Sequence, residues 1–220
     1  MYVASKVCKH RDGNFYLHLG LSKSVEEPSI EKVSKFVGVD VGMNYLAVAS
    51  MTDAKQAFFD GGRIKDLRNR YSGMRSRLQS KGTPSAKRML KYLSGKEKRL
   101  MRDVNHVVSK NVVVFAVANK VSVIGMEDLT GIRDRTQYNV SKNNRYRHSS
   151  WAFRELQTLI EYKAKEQGII VIYVDPAYTS QTCPKCNHIA KNNRNGLMFH
   201  CETCGYDLNA DLNGARNYRA

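Results

Sequence analysis

The sequence predicts an α/β domain built on a mixed sheet, interrupted once by a basic helical segment and again by a four-cysteine module. Three observations predict it. Short apolar segments of strand length recur at residues 36–40, 45–51, 56–60, 121–126 and 169–174. Between the third and the fourth lies a long stretch with apolar residues at helical spacing. Two Cys-x-x-Cys pairs then stand between the last of these strands and the C-terminus.

Each element has a local reason. Residues 1–36 open with alternating segments such as Phe15-Tyr16-Leu17-His18-Leu19 and pass into a polar stretch around Glu26-Glu27-Pro28, which reads as an edge hairpin followed by a linker. Two strands cannot bury a core alone, so part of something larger is expected upstream. Phe36-Val37-Gly38-Val39-Asp40 is a buried-strand pattern, and with 45–51 and 56–60 it predicts an antiparallel meander turning near Gly42 and Asp53. Leu67, Tyr71, Met74 and Leu78, then Met89, Leu90 and Leu93, predict two basic amphipathic helices joined at Gly82-Thr83-Pro84. Helix continues through 103–119, with Val104, Val107, Val108, Val112 and Phe115 on its apolar side. Residues 121–126 form a strand ending in Glu127. Residues 131–150 hold five Lys/Arg without any period and read as a mobile basic loop whose Ser150 caps the next helix. That helix ends at Gly168 and delivers the strand 169–174.

Charge narrows the function classes. The chain holds 36 Lys+Arg against 20 Asp+Glu, a net +16, and residues 62–102 alone hold 14 basic residues against two acids. Such a surface favours polyanions through counterion release, and Arg68, Arg70, Arg75, Arg77, Lys87, Arg88 and Lys91 are the candidate phosphate contacts. The longest apolar runs, 112–118 and 169–174, fall far short of the roughly 20 residues that span a bilayer. The N-terminus lacks the apolar core of a secretory signal, so a cytoplasmic, nucleoid-associated address is expected, with no membrane partner.

Two constellations carry chemistry. Asp40 follows the first core strand, Glu127 ends the fourth, and Asp211 sits in Asn209-Ala210-Asp211-Leu212-Asn213. A single acid after a strand is more often a turn former or a cap. Together, acids at the ends of strands one and four and on a terminal helix are how an RNase H-like sheet gathers carboxylates. Hard oxygen ligands suit Mg²⁺ or Mn²⁺, and two such ions about 3.5–4 Å apart stabilise both oxygens of a phosphodiester displacement. Asp128 points to the other face if the strand continues. The cysteines, Cys183-Pro184-Lys185-Cys186 and, fourteen residues later, Cys201-Glu202-Thr203-Cys204, have the spacing of a structural four-thiolate Zn²⁺ site, closed to substrate. His188 and His200 are read as surface or packing residues, and Cys8 as a free thiol.

The succession Val37-Gly38-Val39-Asp40-Val41-Gly42, Met126-Glu127-Asp128-Leu129, Thr179-Ser180-Gln181-Thr182-Cys183-Pro184-Lys185-Cys186, Cys201-Glu202-Thr203-Cys204-Gly205 and Asp211-Leu212-Asn213-Gly214-Ala215-Arg216-Asn217 resembles the ordered motifs of the TnpB family of transposon-associated, RNA-guided DNA endonucleases, relatives of the type V CRISPR effectors. The resemblance implies a RuvC nuclease domain over 37–180 with a basic helical insertion at 62–119, a zinc ribbon at 181–204, and a final RuvC motif and helix at 205–220. It implies that Asp40, Glu127 and Asp211 are the catalytic, Mg²⁺-binding carboxylates. It makes residues 1–36 the remnant of a wedge-type β segment, and it makes guide RNA and target DNA the partners. Because such proteins carry large N-terminal lobes, a separate lobe protein or self-association is a further expected partner. Two other readings fit the charge: an accessory nucleic-acid-binding protein that does not cut by itself, and a generic RuvC-like resolvase. Retention of all three acids weighs against the first and the cysteine ribbon against the second.

Overall fold

The computed structural model describes residues 2–10, 13–25, 35–129 and 153–218. The basic stretch 131–150, its Ser150 cap and the Glu26-Glu27-Pro28 segment lie outside the described residues. Strands β1 (Tyr2–Lys9) and β2 (Phe15–Leu21) pair antiparallel as a two-stranded sheet of their own. They are thus a hairpin, as expected, but not an edge of the main sheet.

β3 (Phe36–Asp40), β4 (Tyr45–Met51) and β5 (Gln56–Asp60) run as the antiparallel meander, after which the chain leaves the sheet for two helices. It returns as β6 (Val123–Glu127) and β7 (Ile170–Val174), both added parallel on the far side of β3. The order β5-β4-β3-β6-β7 is that of an RNase H-like domain. Alternation along the strands then sorts side chains between two faces. Val37, Val39, Ala47, Ala49, Met51, Ile124 and Met126 lie in the main core cluster. They pack against Val108, Val112 and Ala116 of α2 (Pro84–Ala118) and Leu156, Ile160 and Ala164 of α3 (Phe153–Lys165). Full burial of one such aliphatic side chain is worth about 1.5–3 kcal/mol, so this face anchors the sheet. The short helix α4 (Ala210–Asn217) covers the opposite face, with Leu212 and Ala215 on Val48.

Between β5 and β6, α1 (Gly62–Lys81) and α2 form a helical hairpin. The break falls where the sequence places it. Gly82 takes the left-handed conformation that ends α1, Thr83 accepts a hydrogen bond from the Ala86 N–H at 3.2 Å, and Pro84 opens α2. From there α2 runs unbroken for 35 residues, so the second basic helix and the helix expected at 103–119 are one element. Its basic half extends beyond the sheet and its apolar half lies on it.

Past β7, a three-stranded sheet in the order β10-β9-β8 joins β8 (Arg194–Asn195), β9 (Met198–His200) and β10 (Asp207–Asn209). This small sheet reaches Asn209, and α4 follows without a linker. No helix among the described residues is long and apolar enough to cross a membrane.

Two of the seven basic residues assigned to an exposed stripe are taken up by the packing of α1 on α2. Arg68 is only 7% exposed, and Arg75 binds Glu97 of α2 through both of its terminal nitrogens. Burial lowers the Arg68 pKa while Glu97 pulls it back up, so one buried carboxylate serves two guanidinium groups. Arg70, Arg77, Lys87, Arg88 and Lys91 remain exposed. Removing one partner from a buried charge cluster costs about 3–5 kcal/mol. Glu97→Ala is accordingly expected to destabilise the chain by about 3 kcal/mol in denaturant unfolding, against a change within about 0.5 kcal/mol for the exposed Arg77→Ala. Equal effects of the two variants would remove Glu97 from the role of helix-hairpin anchor.

Candidate functional site

β3 and β6 are parallel and register Val39 against Met126, so the next residues along, Asp40 and Glu127, emerge side by side at the same sheet end. Both leave the face opposite the main core, where α4 packs. α4 begins at an Asn209 cap whose side-chain oxygen accepts from the N–H groups of Asp211 and Leu212 at 3.0 and 3.1 Å. That cap sets Asp211 in the first helical turn, facing the strand ends. One glycine eases the close approach: a Cβ on Gly214 would lie 3.2 Å from Asp40 Cγ. On the strand beneath, a Cβ on Gly125 would lie 2.0 Å from the Tyr218 carbonyl oxygen, so only glycine lets the end of α4 settle there. Gln157 of α3, fully buried, donates to the Glu127 carbonyl at 2.6 Å and holds the end of β6. The three acids read from the sequence are thus brought to one place.

The electrostatics follow from that placement. Burial, reinforced by Asp211 and Glu127, pushes the Asp40 carboxyl up to about 7, with Arg194 and Tyr218 pulling the other way. Burial also raises Asp211, opposed by Arg194, whose Nη2 lies 3.6 Å from Asp211 Oδ1. Asp211 Oδ2 is buried without a hydrogen-bond partner. An unpartnered carboxylate oxygen beside two further carboxylates is a donor set suited to a hard divalent cation. Among the described residues only the cysteines bring three or more ligand-bearing side chains within 4.8 Å of one another, so the three carboxylates are grouped more loosely.

Two residues near the site had no signal of their own in the sequence. Arg194 belongs to the cysteine module and is one of 36 basic residues, yet it reaches Asp211. Tyr218 follows the last motif and places its hydroxyl 3.1 Å from Glu127 Oε2 and 3.4 Å from Asp40 Oδ1. The two asparagines of that motif have structural tasks. Asn213 donates to Thr182 O at 3.1 Å, and Asn217 donates to Thr179 O at 2.7 Å and Thr182 O at 2.9 Å, pinning the approach to the first cysteine pair onto α4.

The cysteines form a tight cluster. Cys183 and Cys204 sulfurs lie 3.7 Å apart and Cys186 and Cys201 3.6 Å apart. A tetrahedron with Zn–S bonds of about 2.3 Å has S···S edges of about 3.8 Å, whereas a disulfide would bring the sulfurs to about 2.05 Å. The four thiolates fit zinc. Each pair sits in a similar knuckle: Cys183 N–H donates to His188 O at 2.9 Å and Cys201 N–H to Tyr206 O at 3.0 Å. Asn187 and Gly205, each following a second cysteine, take positive φ. His188 acts through its backbone, and the exposed His200 pairs with Asp207 at 2.7 Å. Cys8 is a free thiol in the hairpin.

Residues 21–133 match the OrfB/IS605 family, described as "Probable transposase", and residues 153–218 match "Cas12f1-like, TNB domain". The chain belongs to the TnpB family. It is 32% identical over 230 residues to the CRISPR-associated endodeoxyribonuclease Cas12f1 of Sulfoacidibacillus thermotolerans, taking in 94% of this chain and 51% of that protein. To a TnpB-like protein of Methanocaldococcus jannaschii it is 36% identical over 154 residues, which is 68% of this chain and 54% of the relative. A cryo-EM structure of a Cas12f1–sgRNA–target DNA complex superposes with a TM-score of 0.69 at 26% identity, over 92% of this chain and 53% of that one. The chain spans about half the length of the curated relatives it matches. Together the two family matches take in the whole sheet, the helical hairpin, the cysteine module and α4.

A raised carboxyl pKa is also a statement about stability. Asp40 folds with its pKa above the ordinary 3.8, so its contribution is fully present in acid and is lost as pH rises from about 4 to about 7. Asp40→Asn removes the charge and keeps the shape. The metal-free variant is expected to exceed the metal-free parent in stability at pH 8 by roughly 2–4 kcal/mol, at about 1.4 kcal/mol per pK unit, and to match it near pH 4. Chemical denaturation in a chelator at both pH values checks this, and no gain at pH 8 would sink it.

Proposed function

We propose that this chain is the catalytic part of an RNA-guided DNA endonuclease, with Asp40, Glu127 and Asp211 as ligands of catalytic Mg²⁺ or Mn²⁺. The observation that carries the reading is the convergence of three carboxylates from distant segments on one spot, where burial and mutual repulsion raise Asp40 and one Asp211 oxygen is left unpartnered. Uncompensated, such a cluster is unfavourable, and a divalent cation relieves it. Bound there as a pair, the ions would supply charge to the attacking and leaving oxygens of a phosphodiester. The chain's own part is orientation: Asp40 and Glu127 present oxygens from adjacent strand ends, and Asp211 presents one from the first turn of α4. Arg194, paired to Asp211 with its side chain still 39% exposed, offers guanidinium donors to a phosphate.

The exposed Arg70, Arg77, Lys87, Arg88 and Lys91 of the helical hairpin would contact phosphates without reading bases. The cysteines would hold one structural Zn²⁺. Guide RNA and target DNA as partners rest on the kinship with Cas12f1, whose solved complex contains both.

Asp40→Ala, Glu127→Ala and Asp211→Ala are each expected to abolish Mg²⁺- or Mn²⁺-dependent cleavage, assayed with guide RNA and target DNA, while leaving nucleic-acid binding within about twofold. Parent-like cutting by any one variant takes that residue out of the site. A parent chain that binds nucleic acid and never cuts with either ion would favour the accessory reading instead. Metal analysis of the purified chain is expected to find one Zn²⁺, lost in Cys201→Ser together with protection of the module from proteolysis, because so small a sheet folds around its metal. Disulfides in place of zinc would contradict the assignment.

A further inference from the structure

The hydroxyl of Tyr218 stands between two of the three carboxylates, Asp40 and Glu127, and is not one of the groups so far given a task. It lies 3.1 Å from Glu127 Oε2 and 3.4 Å from Asp40 Oδ1. The side chain has little freedom. The residue is 3% exposed, its N–H donates to Gly214 O at 3.2 Å, and its carbonyl fills the space above Gly125. A tyrosine ring turns about only two side-chain bonds, so packing has already fixed where the oxygen sits.

A phenol has one proton to donate and here faces two carboxylates that burial has brought together. Neutral and unable to coordinate as readily as a carboxylate, it can donate that proton to Glu127 Oε2, the nearer oxygen, or to Asp40 Oδ1, one at a time, without competing for the cation. We propose that Tyr218 is a positioning residue: its hydroxyl stands between Asp40 and Glu127, donates its single proton to one or the other, and holds them at a spacing at which both can serve the same divalent ion. The inference rests on the reading of these acids as ion ligands. Donors that orient ligating carboxylates in this way typically contribute roughly 10–100-fold to metal affinity.

Tyr218→Phe removes the oxygen and keeps every ring contact, so circular dichroism and zinc content are expected to match the parent. Calorimetric titration with Mn²⁺ is expected to show affinity at the carboxylate site reduced roughly tenfold or more. In cleavage, the Mn²⁺ concentration for half-maximal rate should rise by the same factor, with the rate at saturating Mn²⁺ within about threefold of the parent. A merely structural role would lower the maximal rate and leave the metal requirement alone, and that outcome overturns the proposal, as does unchanged Mn²⁺ affinity. Should Tyr218→Phe be unstable, the parent can be tested by NMR: a Tyr218 hydroxyl or ring signal that does not respond to Mn²⁺ or to its diamagnetic substitute Mg²⁺ overturns the proposal equally. If the parent chain itself binds no Mn²⁺ at the carboxylates, the ligand reading fails, and Tyr218 is not what failed.

Discussion

Like charges resist being gathered, and the domain is organised around overcoming that resistance at the ends of β3 and β6. The parallel register of Val39 against Met126 puts Asp40 beside Glu127, and the Asn209 cap turns Asp211 toward them. The counterweight is supplied by the other face of the sheet. Val37, Val39, Ile124 and Met126 are buried under α2 and α3, and their burial offsets the cost of the charges one residue away on the same strands. The carboxylates are thus placed where stability is given up, and the core beneath supplies the difference.

The cysteine module is tied to that site and is not a mere appendage. Asn213 and Asn217 hold the carbonyls of Thr179 and Thr182, while Arg194 crosses from the module to Asp211. Tyr206 lies between Lys185, whose ammonium stands 5.9 Å from its ring, and Arg216 of α4, which donates to its hydroxyl. Since β10 runs directly into α4, a metal that orders the module also sets the start of the helix bearing Asp211. The cysteine cluster and the carboxylates are separate in chemistry and joined in mechanics.

The helical hairpin shows how far composition can be taken. Its charge predicts a surface for polyanions, yet Arg68 and Arg75 turn inward to Glu97. Spacing along one helix says which residues share a face; it does not say which face meets the second helix. Glu97, one of two acids among the fourteen basic residues of 62–102, is where that decision was made, because a buried guanidinium needs a carboxylate and few were available.

What the sequence by itself determined is what depends on neighbours along the chain. The five core strands, the helix break at Gly82-Thr83-Pro84, the two cysteine knuckles and the three acids were all legible, because alternation, capping chemistry and ligand spacing act over a few residues. The pairing of β6 and β7 on the far side of β3, the pairing of β10 with β9, and the reach of Arg194 and Tyr218 to the acids were decided only in three dimensions. Arg194 and Tyr218 are ordinary residues by type, and no local pattern distinguishes them. Their position comes from packing α4 against one face of the sheet, a contact between segments far apart in the chain that depends on the shape of both at once.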